Sequence, residues 1–124
     1  MALPRSMRAF CARHYETPAQ IDEADGAPTW ITRGVSLCVA VTDARTGTVL
    51  RRSEADQPDE YILILPEGVS AWIRTPSETV QAVPDSLTIL PPGASEITVT
   101  GEGPVSRVFS ARVRDLAGVA VNAG

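Results

Sequence analysis

The sequence predicts a single all-β domain, a small barrel or sandwich of short antiparallel strands. Its 124 residues suit one domain of ordinary size. From Trp30 onward, short runs rich in aliphatic and β-branched residues follow one another at regular spacing, which is typical of sandwiches and barrels. Ten prolines and nine glycines are spread along the chain. They lie where turns between short strands need fixed or positive φ values.

The chain divides into three segments. Residues 1–29 mix arginines with an acidic, turn-rich stretch and predict an irregular N-terminal arm laid over the barrel, exposed and mobile at residues 22–26. Residues 30–112 form the predicted barrel. Residues 113–124 place Val113, Leu116 and Val119 at helical spacing, which predicts a short C-terminal helix weakened by Gly118.

The barrel segment contains eight predicted strands separated by turn residues. The turns at 45–47, 66–68, 91–93 and 101–104 each contain a glycine, and three of them also contain a proline. The predicted strands are 34–42, 48–52, 60–65, 69–74, 78–83, 86–90, 95–100 and 105–112.

Composition excludes several classes of function. A formal net charge of −4 and a pI of about 4.9 argue against nucleic-acid binding, which needs a basic surface. No apolar run has the length of a membrane span or a signal peptide, so we expect a cytoplasmic protein without membrane contact. Cys11 and Cys38 match no zinc spacing and are expected to be reduced thiols, although their spacing leaves a disulfide open.

Two stretches resemble the paired sequence motifs of the cupin superfamily. Residues 54–68 combine acidic residues, an apolar strand and a glycine turn, and residues 84–96 combine an apolar strand with Pro91-Pro92-Gly93 and a following Glu96. The resemblance implies a double-stranded β-helix, the jelly-roll barrel of cupins, with an irregular N-terminal arm and a short C-terminal helix.

The resemblance fails at the metal-binding histidines. Matched residue by residue, Glu54, Asp56 and Glu96 stand where metal-binding cupins have histidine, and Glu60 keeps the family's glutamate. The only histidine, His14, lies in the arm. The resemblance therefore implies the scaffold without its imidazole ligands.

The ligand-binding candidates are these four carboxylates and Arg52, and three interpretations stay open. The site has decayed and holds no cofactor, with the acids exposed or paired with Arg52. Alternatively, oxygen ligands hold a hard divalent cation such as Mg²⁺ or Mn²⁺. In the third, Asp56, Glu60 or Glu96 performs acid-base chemistry without a metal. No residue is assigned a catalytic role.

The resemblance also implies a partner. If Glu60 points into the barrel, Ile62 and Ile64 do too, and Leu63 points outward, so both faces of the strand are apolar. The same parity in the second motif puts Glu96, Thr98 and Thr100 on the ligand face and Ile97 with Val99 on the outer face. Exposed apolar faces of this kind favour a second barrel, in a homodimer or as a different cupin barrel. We expect a cupin-like module that acts through small-ligand binding or barrel–barrel assembly. The alternative is a cupin enzyme, an isomerase, lyase or oxygenase of a small organic acid or sugar.

Overall fold

The computed structural model describes residues 8–123 and has ten strands and one short helix in that range. The eight predicted strands are all present, and two further strands precede them. The strands are β1 (Ile21–Asp22), β2 (Pro28–Arg33), β3 (Leu37–Ala44), β4 (Val49–Arg52), β5 (Tyr61–Leu65), β6 (Ser70–Arg74), β7 (Thr79–Ala82), β8 (Ser86–Leu90), β9 (Ser95–Thr100) and β10 (Gly103–Ser110).

The strands form two antiparallel sheets that face each other. One has six strands in the order β1-β2-β3-β10-β5-β8, and the other has four in the order β4-β9-β6-β7. Alternate residues of each strand point between the sheets, where Leu50, Leu63, Ile97 and Val105 are all fully buried. The prediction of an all-β jelly-roll fold is confirmed.

Glycine turns lock one end of the barrel, which we call the closed end. Gly101 has a φ of 104°, and a Cβ at this position would overlap the backbone of Gly68 in the neighbouring turn. The amide of Gly101 also donates a hydrogen bond to Oγ1 of Thr46 in a third turn, at 2.8 Å. The opposite end, formed by the loops after β4, β6, β8 and β10, is called the mouth.

The two ends of the described chain meet at β2. The indole Nε1 of Trp30 donates to the carbonyl of Thr17 at 2.8 Å. This bond holds the described part of the N-terminal arm that precedes β1 on the outer face of the sheet; from here on, the arm means these residues, 8–20. On the far side, the buried amide of Asn122 accepts from the backbone N–H of Arg33 at 3.0 Å and donates to its carbonyl at 2.9 Å. The side chain of Asn122 therefore satisfies the edge of β2 at Arg33, beyond the residues that pair with β1.

The acidic stretch predicted to be a mobile loop is a tight turn between β1 and β2. Gly26 has a φ of 83°, and its amide donates to the carbonyl of Glu23 at 2.7 Å. The carboxylate of Glu23 reaches inward and accepts a 2.8 Å hydrogen bond from the buried guanidinium of Arg107. The sequence interpretation missed this contact because it joins residues far apart in the chain.

The predicted C-terminal helix is present as α1 (Arg114–Ala117). Leu116 and Ala117 are buried against the barrel, and Gly118 ends the helix with a hydrogen bond to the carbonyl of Arg114. Val119, which we expected on the same face, is half exposed. No helix within residues 8–123 is long and apolar enough to cross a bilayer.

Candidate functional site

The interior of the barrel is set by the phase of each strand. On β5, Tyr61, Leu63 and Leu65 point inward and are buried, while Ile62 and Ile64 lie on the outer face. The prediction that Leu63 faces outward is wrong. The strand is apolar on both faces, so its composition does not determine which face is buried.

The second motif strand is also out of phase with the prediction. Ser95, Ile97 and Val99 of β9 point inward, whereas Glu96 and Thr98 lie on the outer face. The alternation of apolar and polar residues along this strand was a signal for that phase. Without the motif match, this alternation alone predicts that Ser95 points inward.

A short hydrogen bond joins the two sheets between β5 and β9. The phenolic oxygen of Tyr61 lies 2.6 Å from Oγ of Ser95, and both side chains are buried. Burial raises the pKa of Tyr61, and the hydrogen bond to Ser95 only partly offsets this. Tyr61 is therefore a neutral phenol, and it stands one residue along the strand from the expected Glu60.

Arg52, predicted as a ligand-binding residue, is the centre of a second polar cluster inside the mouth. Its side chain is only 5% exposed and contacts both oxygens of Asp115 in α1, at 2.7 and 3.0 Å. Its Nε donates to the buried amide of Gln57 at 2.9 Å, and Nη2 donates to the backbone carbonyl of Asp56. All three guanidinium nitrogens therefore have partners from this chain.

Arg52 also lowers the pKa of its anionic partner, Asp115. Burial alone would raise the pKa of Asp115, but hydrogen bonds from Arg52 and its positive charge outweigh that effect and lower it. Asp115 is therefore ionised at neutral pH. The pair fixes α1 over the mouth.

An aromatic ring separates Arg52 from a second buried arginine. Phe109 stacks on Tyr61 with ring centroids 4.8 Å apart. The guanidinium carbons of Arg52 and Arg107 lie 5.2 and 5.6 Å from the Phe109 centroid, within the range of cation–π attraction. Arg107 pairs with Glu23, although its Nε has no hydrogen-bond partner among residues 8–123.

The four candidate carboxylates do not meet inside the barrel. Glu54, Asp56 and Glu60 are exposed in the loop between β4 and β5 and its junction with β5. Asp56 accepts from the hydroxyl of Ser53 at 3.0 Å. None of the four carboxylates pairs with Arg52. A ligand-binding role for them stays a prediction.

Glu96 forms ion pairs with two arginines on the outer face of the four-stranded sheet. One carboxylate oxygen accepts from Arg51 at 3.1 Å and the other from Arg74 at 2.8 Å. Both arginines lie on neighbouring strands in register with Glu96. Because both are largely exposed, the pairs add little stability beyond fixing the side chain.

The donor chemistry of the interior does not fit the metal of metal-binding cupins. Where the resemblance placed ligands, the structure has the hydroxyls of Tyr61 and Ser95, and the cationic side chains of Arg52 and Arg107 flank the adjoining ring of Phe109. In the part of the chain from residue 8 to 123, no three His, Cys, Asp or Glu side chains are grouped so as to hold a metal ion. Both guanidinium groups are paired with carboxylates, and a guanidinium has no lone pair to offer a metal ion.

Three interior residues escaped the sequence analysis. Gln57 and Arg107 are 1% exposed, and Asn122 is equally buried. Polar residues are usually exposed, so no sequence pattern marks Gln57 or Asn122. Arg107 lies between Val105 and Phe109 at alternate positions, and that alternation was the one available signal.

The two thiols are free. Cys11 is exposed and Cys38 is buried, so no disulfide joins them. Burial raises the pKa of Cys38 to about 11, which keeps this thiol protonated and unreactive at neutral pH. Neither cysteine belongs to the interior polar clusters.

Comparison with known proteins shows the fold. No family model matches the sequence, and no curated protein does. The structure is similar to KdgF from Halomonas sp., with a TM-score of 0.62 and 16% identity over 83% of this chain and 94% of that one. A cupin superfamily protein from Desulfitobacterium hafniense DCB-2 gives a TM-score of 0.58 and 10% identity over 88% and 98% of the two chains.

A larger protein also contains this architecture. Salicylate 1,2-dioxygenase from Pseudaminobacter salicylatoxidans gives a TM-score of 0.62 and 14% identity, over 84% of this chain and 31% of its own. The same barrel therefore occurs both in chains of similar length and as one part of a longer chain. The chain described here has the cupin fold.

Proposed function

We propose that this cupin-fold domain is an assembly module that packs the outer face of its six-stranded sheet against the same face of a second copy. The observation that carries the proposal is an apolar patch on β5 and β8, formed by Ile62, Ile64, Leu87 and Ile89. Leu87 and Ile89 are each 59% exposed, and Ile64 is 40% exposed. These side chains lie opposite one another in register on the two strands.

The apolar surface continues across the sheet. Val108 of β10 is in register with Ile62, and Val39 of β3 is in register with Val108. Leu37 adds an exposed side chain at the mouth end of β3. The outer positions of these four strands carry no charge apart from Asp43 at the far corner. An apolar area of this extent is typical of an interaction surface.

A second copy suits this patch better than a charged partner. The chain carries a formal net charge of −4, so two copies repel each other at long range. The patch itself contributes no like charges to the contact, and an apolar surface complements itself across a two-fold axis. Burial of each exposed Leu or Ile side chain of the patch contributes about 1 kcal/mol to binding. Together these contributions oppose a cost of about 4 kcal/mol or more for the translational and rotational freedom lost on association. We therefore expect a dimer of moderate affinity.

The arm limits which part of the sheet is available. His14 and Tyr15 pack on Trp30, with ring centroids 6.0 and 4.8 Å from it, and cover the β2 side of the outer face. The β5–β8 side has no such cover from residues 8–123.

The alternative, an enzyme acting on a small organic acid or sugar, has less support. One structural neighbour is a dioxygenase by name, but it is 14% identical and this chain spans 31% of it. The interior hydroxyls of Tyr61 and Ser95 bond to each other, and the Arg52 guanidinium is paired with Asp115. No observation on the described residues singles out a reactive group.

Sedimentation equilibrium from micromolar to millimolar protein tests the assembly proposal. We expect wild-type protein to dimerise and Ile89→Glu to stay monomeric, because the charge would be buried in the contact. Trp72→Glu is the matched control, since Trp72 is 51% exposed on the outer face of the other sheet. Circular dichroism confirms that each variant is folded. Wild-type protein that stays monomeric throughout, or Ile89→Glu protein that dimerises as tightly, would contradict the proposal.

A further inference from the structure

We propose that the outer face of the four-stranded sheet binds a neutral oligosaccharide, with one sugar ring packed on the indole of Trp72. Trp72 is 51% exposed on β6, an inner strand of this sheet. The proposed dimer contact lies on the other sheet, so the two surfaces can be occupied independently. The indole of Trp30, in contrast, is covered by the arm and donates to Thr17.

The side chains beside Trp72 are hydrogen-bonding groups. Thr98 of β9 and Gln81 of β7 stand in register with Trp72, one on either side. Side chains at directly opposed positions of neighbouring strands are about 5 Å apart. Gln81 is exposed and Thr98 half-buried, and neither side chain has a hydrogen-bond partner among residues 8–123. An aromatic surface edged by free amide and hydroxyl groups fits a sugar ring, which has an apolar C–H face and a rim of hydroxyls.

A groove continues this face toward the mouth. It has a volume of about 470 Å³ and is lined by Arg51, Arg74 and Glu96 and by the turn after β6. Arg74 lies two residues beyond Trp72 on the same strand, so the two side chains stand on the same face. A volume of this size suits a small-molecule site. A second sugar ring, linked to the one on Trp72, would therefore enter the groove.

The ion pairs of the groove favour hydroxyl groups over anions. Glu96 accepts one hydrogen bond from Arg51 and one from Arg74, on different oxygens, so each oxygen keeps a further lone pair. Each arginine uses a single nitrogen in this contact. A hydroxyl can donate to the carboxylate and accept from a guanidinium, which satisfies both kinds of group. An anion cannot donate to Glu96, and the net charge of −4 on the chain repels it.

The same face suits a protein partner less well. The outward positions of β4, β9 and β6 hold one apolar side chain besides Trp72, the half-buried Val49. The centre of a stable protein interface is more apolar than this. A sugar ring needs only the one aromatic surface and the polar groups around it.

Calorimetric titration with cellotetraose, compared with sorbitol, tests this site. Cellotetraose is neutral, and its rings carry their hydroxyls at the edge, whereas sorbitol has hydroxyls without a ring. We expect cellotetraose to bind saturably and sorbitol not to bind at the same concentrations. Trp72→Ala should weaken the binding of cellotetraose about tenfold, because the ring loses its aromatic contact. Arg74→Ala should weaken it severalfold, because the groove loses a fixed donor.

The control is Tyr15→Ala, which removes an aromatic side chain that is 60% exposed on the arm and should leave the affinity unchanged. Thermal melting checks that each variant is folded. Absence of saturable binding of cellotetraose up to millimolar concentration, or equal binding of sorbitol, would overturn the proposal. Unchanged affinity in Trp72→Ala or Arg74→Ala protein would do the same. Monomeric Trp72→Glu protein in the sedimentation experiment would also overturn it, since a second copy would then cover this face.

Discussion

Removing the hydroxyl of Tyr61 should destabilise the protein by about 2 kcal/mol. The substitution Tyr61→Phe leaves the ring stacked on Phe109 but leaves Oγ of Ser95, 6% exposed, without the partner at 2.6 Å. A buried polar group without a partner costs about 1–3 kcal/mol. For a chain of this length, 1 kcal/mol corresponds to roughly 4 °C in melting temperature. We therefore expect a decrease of about 8 °C.

The double variant Tyr61→Phe with Ser95→Ala separates this contact from simple loss of packing. Removing both partners should cost clearly less than the sum of the two single substitutions, because no orphaned hydroxyl remains. Urea denaturation at fixed protein concentration measures all three. Tyr15→Phe, at a residue 60% exposed, is the control and should change stability by less than about 0.5 kcal/mol. Additive effects of the two single substitutions would refute the reasoning.

The same contact predicts a pH dependence. Burial raises the folded-state pKa of Tyr61 above its ordinary value of 10.0, so the folded protein holds this proton more tightly than the unfolded chain does. The resulting stabilisation is present below pH 10 and is lost as the pH rises through the raised pKa. Tyr61→Phe should therefore lose less stability than wild type between pH 9 and 11. An equal loss in both proteins would assign the alkaline sensitivity to other groups.

Two further predictions concern Asp115 and the thiols. The ion pair that lowers the pKa of Asp115 stabilises the fold at neutral pH, and this stabilisation is lost as the pH falls through that pKa. Asp115→Asn should therefore lower the melting temperature at pH 7 but show a smaller further decrease at pH 3 than wild type. Melting temperatures that fall in parallel with acid in the two proteins would contradict the Arg52 pairing. A thiol reagent at pH 8 should label Cys11 in the folded protein and reach Cys38, whose pKa is about 11, only after unfolding; two equivalents of label on the folded protein would count against the burial of Cys38.

Much of the fold could be predicted from turn chemistry. The glycine and proline turns after β3, β5 and β8 separated strands that the structure confirms. The short helix after β10 was predicted from the spacing of Val113 and Leu116, and both are buried. The β1–β2 hairpin was not predicted because Ile21–Asp22 is too short to show a period. Its pairing with β2 depends on contacts that local sequence does not contain.

The site was less predictable because a motif fixes spacing and leaves the phase of a strand undetermined. On β5, a continuous apolar run gave no indication of which residues face inward. Shifting the phase by one residue exchanges every inward residue for an outward one, which is why Tyr61 stands inside in place of Glu60. On β9 the alternation of Ile97 and Val99 with polar residues indicates the correct phase, which the spacing of the motif does not.

The closed end of the barrel constrains how this chain can change over evolutionary time. Because the turn that contains Gly101 touches both the turn of Thr46 and the turn of Gly68, a residue inserted in it would have to displace its two neighbours. The loop between β4 and β5 at the mouth has exposed residues at Ser53, Glu54 and Ala55, and insertions there extend into solvent. Length differences among relatives should therefore accumulate at the mouth, and new binding specificities would be expected to arise at that end.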